Sequence, residues 1–324
     1  MTGAGRDSLT VAVIDHRFPS LDEERAVLAP LGAGLIDLRG QDPEAVMAAA
    51  AGADGILVGA RFRLDLARLL TLRRCRVIAR YGVGTDNVDV AAASRLGIAV
   101  TCVPDYCVEE VSTHAMALLL ALHRRLFQFD RAVREGAWGI GGEHVARLSE
   151  ATLGIAGYGR IGRETGRKAT ALGLRVLAAD PLIDAESVRA GGAQPVEWEC
   201  LLAESDFVSL HPSLGPGTRR MLDAGAIARM KPGSVLINVG RGGLVDEDAL
   251  AAALHGGQLA GAGIDVVDPE PPASGAAILS APNLIVTPHV AWFSIGARLE
   301  LQRKAAEEVA RVLRGEPPRF RATE

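Results

Sequence analysis

The sequence predicts an α/β protein built from two parallel-sheet domains. Three observations carry this prediction. Short β-branched runs alternate with Ala/Leu-rich helical stretches, the alternation restarts in the middle of the chain, and the second series opens on a glycine-rich loop. The length of 324 residues suits two domains that each bury their own core.

The first series contains five apolar runs with the length and composition of strands. They span residues 9–15, 34–38, 55–58, 75–80 and 98–103. Helical patterns separate them, for instance at residues 21–31 and 87–96. A strand–helix–strand alternation of this kind predicts a parallel sheet with crossover helices.

Pro104 ends this series, and the apolar positions of residues 108–134 then recur at three- and four-residue steps, which predicts one long helix. Such a helix is long for an ordinary domain. Two interpretations stay open. The helix bridges two domains and offers its apolar face to another subunit, or it is a buried helix of a single domain.

The second series predicts six further strands. They span residues 152–157, 174–180, 206–212, 234–240, 261–267 and 284–290. Helices are predicted at residues 218–230 and 247–255, and a last helix at 297–314 ends at Gly315, with two prolines beyond it. The two halves of the chain share an architecture but no repeated sequence.

Composition excludes several classes of function. The net charge of -4, without a basic stripe, argues against nucleic acid as a direct partner. The first residues hold no apolar core of signal-peptide length, and the apolar stretch 115–122 is too short to span a bilayer. Four scattered cysteines without a C-x-x-C pair suit a reducing compartment. We therefore expect a cytoplasmic protein that binds neither membrane nor metal.

The glycine motif of the second series has the layout of a dinucleotide site. Gly157 allows a tight turn after the strand, Gly159 lets the backbone approach a pyrophosphate, and Gly162 lets the following helix pack on the strand. The helix N-terminus offers free N–H groups to the anion. Asp180 ends the next strand, 23 residues after Gly157, where an acid holds the ribose hydroxyls of NAD and repels the extra phosphate of NADP. Taken alone, Asp180 is equally typical of a solvated strand end.

Three polar groups follow strand ends of the second series, namely Arg241, Glu270 and His289. Singly, they are typical of a surface cation, a loop charge and a hydrogen-bonded histidine. Together they supply what hydride transfer to a 2-oxo acid requires, at the sheet edge where parallel sheets bind ligands. Arginine binds a carboxylate in bidentate fashion, histidine delivers the proton to the ketone oxygen, and a carboxylate fixes the tautomer of the histidine.

At this point the chain resembles the D-isomer-specific 2-hydroxyacid dehydrogenase family, and in particular its phosphoglycerate dehydrogenase-like members. The blocks that carry the resemblance cover the chain in order: RYGVGTDNVD (80–89), GYGRIG (157–162) with Asp180, NVGRGGLVDEDAL (238–250), GIDVVDPEP (263–271) and TPHVAW (287–292). The resemblance implies that Arg241 binds the substrate carboxylate and carbonyl, that Glu270 pairs with His289, and that His289 is the acid/base.

The resemblance also implies a domain layout. A Rossmann-type NAD-binding domain (104–291) is inserted in a flavodoxin-like α/β substrate domain made of residues 1–103 and 292–324, and two chains form a homodimer. Further contacts carry over in the same way. The cofactor is held by Arg160, Ile161, Val239, Gly240, Arg241 and Asp265, and the substrate carboxylate by the backbone of Val83 and Gly84.

Two departures from the family pattern bear on function. The His-x-Pro-Leu-Thr block appears as HPSLG (211–215), which weakens the cofactor contacts expected of His211 and Thr218. The motif TPHVAWFS, which contains Trp292, resembles the branch of the family that contains the carboxy-terminal-binding corepressors. There Trp292 would wall the substrate pocket and favour an apolar 2-oxo acid, although core packing explains it as well. The expected function is an NAD-dependent D-2-hydroxyacid dehydrogenase, and the alternative is a corepressor-like NAD(H)-binding protein with vestigial activity.

Overall fold

The computed structural model describes residues 8–139 and 145–322. Contacts divide the chain into two compact units, Met1–Tyr106 with Ser294–Glu324, and Cys107–Phe293. The first unit is therefore made of two segments, and the second lies between them in sequence. The observed boundaries differ from the predicted ones by a few residues.

The first unit contains a five-stranded parallel sheet of order β2-β1-β3-β4-β5. This is the strand order of flavodoxin-like folds. Its strands are β1 (Thr10–Ile14), β2 (Gly34–Asp37), β3 (Gly55–Val58), β4 (Val77–Arg80) and β5 (Ala99–Thr101). Helices α1 (Asp22–Leu28), α2 (Pro43–Ala50), α3 (Leu66–Leu69) and α4 (Val90–Arg95) connect them. Strands β3 and β4 are buried at every position, as expected of a parallel sheet covered on both faces.

The second unit contains a seven-stranded parallel sheet of order β12-β11-β10-β9-β6-β7-β8. Its strands are β6 (Thr152–Ala156), β7 (Arg175–Ala179), β8 (Gln194–Pro195), β9 (Phe207–Leu210), β10 (Ser234–Asn238), β11 (Leu259–Ile264) and β12 (Leu284–Val286). Its helices are α5 (Val108–His123), α6 (Leu126–Arg134), α7 (Arg160–Ala171), α8 (Ala185–Ala190), α9 (Trp198–Glu204), α10 (Ala224–Arg229) and α11 (Glu247–His255). The reversal of strand order at β6 is that of a Rossmann fold, and the predicted fold class is confirmed.

The last helix, α12 (Ile295–Leu313), returns to the first unit and packs on its sheet. Val309 of α12 is fully buried, and a Cβ on Gly55 of β3 would lie 2.9 Å from its Cγ1 atom. The C-terminal segment is thus part of the core of the first unit. Among the described residues, no helix is long and apolar enough to cross a membrane.

The prediction of a single helix over residues 108–134 is wrong, because the chain turns at Arg124 and Arg125. Arg125 is in the left-handed region, with a φ of 51°. The backbone N–H groups of Arg124 and Arg125 donate to the carbonyls of Leu120 and Leu122 and close the last turn of α5. Helix α5 is buried on one face, whereas α6 has no buried residue. The apolar periodicity of the sequence continues across this turn, so the turn cannot be detected from the pattern of apolar residues.

The helix predicted at residues 218–230 is shorter, since α10 begins only at Ala224. The side chain of Asp223 accepts the N–H of Ala226 and caps the helix at that point. The hydroxyl of Thr218 instead donates to the carbonyl of Ser213 in the preceding loop. The two-residue strand β8 has no counterpart among the predicted strands.

Candidate active site

The glycine loop between β6 and α7 has the shape that a dinucleotide requires. Gly157 has a φ of +81°, and a Cβ there would lie 2.6 Å from the backbone nitrogen of Pro212. A Cβ on Gly162 would lie 2.2 Å from the carbonyl oxygen of Gly157, so only glycine allows this close packing of helix on strand. The exposed Gly159 faces open space instead. The space at Gly159 can accommodate a pyrophosphate. The backbone N–H groups at the N-terminus of α7, which begins at Arg160, can donate hydrogen bonds to it.

Asp180 lies directly after β7 and binds the same loop. Its Oδ2 atom accepts the backbone N–H of Tyr158 at 2.7 Å, and its Oδ1 atom accepts the N–H of Leu182 at 2.9 Å. Asp180 is therefore more than a solvated strand end. It fixes the glycine loop and presents its carboxylate beside the loop, where the ribose of a dinucleotide is held.

The divergent loop after β9 is ordered by its own hydrogen bonds. The Oγ1 atom of Thr218 donates to the carbonyl of Ser213 at 2.6 Å and accepts the N–H of Gly215 at 2.8 Å. His211 shares a hydrogen bond of 2.8 Å with the hydroxyl of Ser209. Desolvation lowers the pKa of His211 from its usual 6.5 to about 4, so its imidazole is neutral at pH 7.

Arg241, Glu270 and His289 follow three adjacent strands. Strands β10, β11 and β12 are parallel neighbours, so their carboxyl ends meet at one edge of the sheet. Arg241 comes after β10, and its Nη1 atom donates to the carbonyl of Gly240 at 2.8 Å. The next residue, Gly242, packs so tightly that a Cβ on it would lie 2.1 Å from the carbonyl carbon of Val267. The segments that carry Arg241 and Glu270 therefore touch.

The structure brings Glu270 and His289 together. The Nδ1 atom of His289 lies 2.7 Å from the Oε2 atom of Glu270, and both side chains are exposed by about a third, at 34% and 39%. An ionised carboxylate only accepts hydrogen bonds, so Nδ1 carries the proton that it shares with Glu270. The Nε2 atom is then left to exchange a proton with a ligand.

The loop that carries His289 is held by the buried Asp265. The carboxylate is 1% exposed and accepts three hydrogen bonds, from the Thr287 hydroxyl at 2.5 Å, the Val290 N–H at 2.9 Å and the Ala291 N–H at 2.8 Å. The N–H of His289 donates to the carbonyl of Asp265 at 2.8 Å. Sequence analysis placed Asp265 among the cofactor contacts. In the structure, its carboxylate binds the histidine loop.

Two further side chains extend this arrangement. The Nε2 atom of His114, on α5, lies 2.9 Å from the hydroxyl of Thr287. The indole N–H of Trp292 donates to the carbonyl of His289 at 3.1 Å. His289 has a φ of +55°, in the left-handed region that is uncommon for residues other than glycine, and the bonds at its N–H and carbonyl hold it there.

Val83 and Gly84 belong to the first unit and follow β4. Val83 is 38% exposed, whereas Tyr81 and Gly82 before it are buried. The loop thus reaches the surface at Val83, at the carboxyl end of a parallel strand, where ligands bind. Within residues 8–139 and 145–322, no group of three or more His, Cys, Asp or Glu side chains is arranged to hold a metal ion.

Comparison with known proteins identifies the family. Residues 116–291, more than half of the chain, match the family model described as "D-isomer specific 2-hydroxyacid dehydrogenase, NAD binding domain". The chain belongs to this family. The predicted resemblance is confirmed, and the second unit is an NAD-binding domain. The Gly157–Gly162 loop, Asp180, Arg241, Glu270 and His289 all lie within the matched region.

Curated relatives include the D-3-phosphoglycerate dehydrogenases of Archaeoglobus fulgidus and Mycobacterium bovis. The first is 34% identical over 82% of this chain and 50% of its own length, and the second is 35% identical over 86% and 52%. The chain thus spans about half the length of the curated relatives that it matches.

Solved structures resemble nearly the whole chain. A protein of Thermus thermophilus is 34% identical, with a TM-score of 0.85, over 97% of this chain and 100% of its own. The D-lactate dehydrogenase of Aquifex aeolicus, solved with NAD and lactic acid, is 26% identical, with a TM-score of 0.84, over 94% and 96%. A glyoxylate reductase from Paecilomyes thermophila is 26% identical, with a TM-score of 0.89, over 98% and 99%. These matches give no support to the corepressor-like alternative.

The residues that support His289 could not be identified from the sequence. Thr287 belongs to a quoted block, but no spacing rule connects its hydroxyl to Asp265, 22 positions earlier. The role of Trp292 as a hydrogen-bond donor to His289 was likewise not predicted. The sequence offered one signal, an aspartate within an apolar run predicted as a buried strand. A buried carboxylate requires hydrogen-bond donors, and these must come from a neighbouring loop.

Proposed function

We propose that this protein is an NAD-dependent D-2-hydroxyacid dehydrogenase that transfers a hydride reversibly between the nicotinamide C4 and the C2 carbon of a small 2-oxo or 2-hydroxy acid. The observation that carries this proposal is the Glu270–His289 pair at 2.7 Å, at a strand-end edge of an NAD-binding domain. NAD, when bound, supplies or accepts the hydride.

The residues of the chain account for the remaining chemistry. Arg241 binds the substrate carboxylate with its planar guanidinium. In the reduction, the Nε2 atom of His289 gives a proton to the substrate carbonyl oxygen as negative charge develops there. In the oxidation, the same atom takes the hydroxyl proton. Glu270 accepts from Nδ1 throughout, so the ring keeps one orientation and its positive charge is stabilised.

The cofactor contacts follow from the glycine loop and its neighbours. Gly159, Arg160 and Ile161 face the pyrophosphate from the N-terminus of α7, and Asp180 accepts the ribose hydroxyls. A carboxylate at that place disfavours the 2′-phosphate of NADP, so we propose NAD as the preferred cofactor. Thr218 and His211 contribute through the shape of their loop, since the Thr218 hydroxyl already binds Ser213.

We propose a substrate with a small apolar side chain. The backbone of Val83 and Gly84 is a further group that we propose to bind its carboxylate. The indole N–H of Trp292 is used on His289, so Trp292 has only its ring surface to offer a substrate. The competing class is a phosphorylated acid, for which Arg61 is a candidate ligand. Its guanidinium already pairs with Asp15 at 3.2 Å, which favours the apolar class.

We propose a homodimer formed through the NAD-binding domain. Helix α6 has no buried residue, yet Leu126, Phe127 and Val133 expose about half of their apolar surface. The side chain of Gln128, on the same helix, donates to Asn283, which directly precedes the edge strand β12. Helix α6 thus contacts the residue before the edge strand β12, and its exposed apolar side chains are a feature that proteins usually cover. Light scattering should give twice the chain mass, and Phe127→Asp should give a monomer.

We also propose a cytoplasmic location, because the four cysteines form no disulfide.

The proposed activity is tested by NADH oxidation against a panel of 2-oxo acids that includes pyruvate, glyoxylate, phosphohydroxypyruvate and 4-methylthio-2-oxobutyrate. We expect turnover to be highest with the apolar side chains. His289→Ala should lower kcat by roughly 10²–10⁴-fold while NADH binding is retained. Tight NADH binding without turnover of any acid would contradict the proposal and favour a binding protein.

A further inference from the structure

A buried carboxylate lies in the core of the first unit. Glu24, on α1, has no exposed surface. Burial of a charged side chain is costly unless its oxygen atoms accept hydrogen bonds. Among residues 8–139 and 145–322, no arginine, lysine or histidine forms an ion pair with Glu24. The neighbours that stabilise it are neutral donors.

These donors come from two distant segments of the chain. The Tyr81 hydroxyl donates to the Oε1 atom of Glu24 at 2.7 Å. The Nε2 atom of Gln302, on α12, lies 3.2 Å from Oε1 and 3.0 Å from Oε2, and it also donates to the carbonyl of Ser20 at 2.9 Å. Both oxygen atoms of Glu24 therefore lie within hydrogen-bond distance of a neutral side-chain donor.

Tyr81 is the first residue of the loop that contains Val83 and Gly84. Its ring packs edge-on against Phe18, with the ring centroids 4.8 Å apart, and its N–H donates to the carbonyl of Val58. The next residue, Gly82, has a φ of +138° and accepts the N–H of Val103. The loop is thus fixed at Tyr81 and Gly82 and becomes exposed at Val83.

The Tyr81 phenol is suited to be a permanent donor. Burial, together with the neighbouring Glu24 carboxylate, raises the pKa of Tyr81 well above 10, so its hydroxyl stays protonated at all physiological pH values. The hydrogen bond to Glu24 is therefore present throughout the working range of the protein.

We propose that Glu24 is a positioning residue for the substrate, which acts through the Tyr81 hydroxyl to hold the backbone of Val83 and Gly84 in the orientation that binds the substrate carboxylate. Gln302, on α12, donates a hydrogen bond to the Oε2 atom of Glu24. Helix α12 therefore helps to fix the Glu24 side chain that accepts the Tyr81 hydroxyl. This inference rests on the proposed function, since it assumes that the loop binds a 2-oxo acid.

The direct test is Tyr81→Phe, which removes the hydroxyl and keeps the ring beside Phe18. We expect KM for the best 2-oxo acid to rise about tenfold, because a buried hydrogen bond is lost and the Oε1 atom of Glu24 is left without its donor. The kcat should change by less than about twofold, and the Kd of NADH should not change. Amide hydrogen exchange of the Tyr81–Gly84 peptide should become faster, which reports on the loop without any turnover.

A coupling test uses Glu24→Gln and the double variant. If Glu24 acts through Tyr81, the double variant should raise KM no more than the larger single effect, whereas independent roles would multiply. The control is Val46→Ala, a core truncation on α2 whose cluster contains neither Glu24 nor Tyr81. It should lower the unfolding temperature while KM and exchange at Tyr81–Gly84 stay at the wild-type values.

The outcomes separate the two proposals. If the wild-type protein turns over a 2-oxo acid but Tyr81→Phe has normal KM and normal exchange at the loop, the positioning role is wrong and the proposed function stands. If the wild-type protein turns over none, both fail. Should Glu24→Gln not fold, Tyr81→Phe alone decides the matter.

Discussion

Asparagine in place of Asp265 should release the loop that carries His289. Oδ1 of Asp265 accepts the Thr287 hydroxyl and the Val290 N–H, and Oδ2 accepts the Ala291 N–H. The asparagine oxygen can replace Oδ1 and keep two of these bonds. Its NH₂ group then faces the N–H of Ala291, donor against donor, in a place that is 1% exposed.

The size of the effect follows from these three bonds. A hydrogen bond to a charged group contributes roughly 1.5–3 kcal/mol and a neutral one about 1 kcal/mol. The loss of one bond and the weakening of two others therefore costs about 3 kcal/mol or more. For a domain of this size, that corresponds to a decrease of roughly 6–12 °C in Tm. If half of the loss opposes the productive arrangement of His289, kcat falls about tenfold.

The assay combines thermal unfolding with steady-state NADH oxidation. Asp206→Asn is the control, because Asp206 accepts the backbone N–H of Thr152 at the start of β6 and pairs with Lys231, but makes no bond to the loop that carries His289. The control should lower Tm and leave kcat within about twofold of the wild type. A normal kcat for Asp265→Asn, or an equal loss of kcat in both variants, would refute the reasoning.

Three further predictions concern Trp292, Asp180 and His211. Trp292→Phe removes the indole donor to His289 and should lower kcat about two- to tenfold, with little change in KM because an aromatic ring remains; a normal kcat would exclude this role. Asp180→Asn should improve kcat/KM with NADPH relative to NADH by at least about tenfold, and an unchanged ratio would show that Asp180 does not select the cofactor. His211 is neutral when folded but gains a proton when unfolded below pH 6.5, so the free energy of unfolding should fall by up to about 3 kcal/mol between pH 6.5 and 4. Chemical denaturation of His211→Asn should show a flatter pH dependence, and an identical slope would contradict the low pKa.

Local patterns were sufficient to predict the glycine loop and the described strands other than β8. Residues 55–58 and 247–255 match β3 and α11, because a buried run and a capped amphipathic helix are complete within a few residues. Glu270 and His289 could be paired from sequence since both follow neighbouring parallel strands. The strand order of such a sheet is restricted to a few topologies.

Features that depend on backbone dihedrals or distant partners could not be predicted. The left-handed conformation of Arg125 divides a continuous apolar pattern into two helices, and periodicity does not detect it. The donors of Asp265 come from a loop that follows another strand, and no local pattern connects that loop to Asp265. In the sequence, Glu24 is one more charged residue of a short helix. Its donors lie 57 and 278 positions away.

The path of the chain through the two units has a consequence for biosynthesis. Helix α12 packs on β3 and supplies Gln302 to Glu24, yet it is made after the whole NAD-binding domain. Because domains fold as units while a chain leaves the ribosome, the inserted domain can close first, and the unit that began earlier waits for its last helix. Until then, the apolar face of β3 and the Glu24 carboxylate stay without their final cover, which makes this interval the vulnerable stage of synthesis.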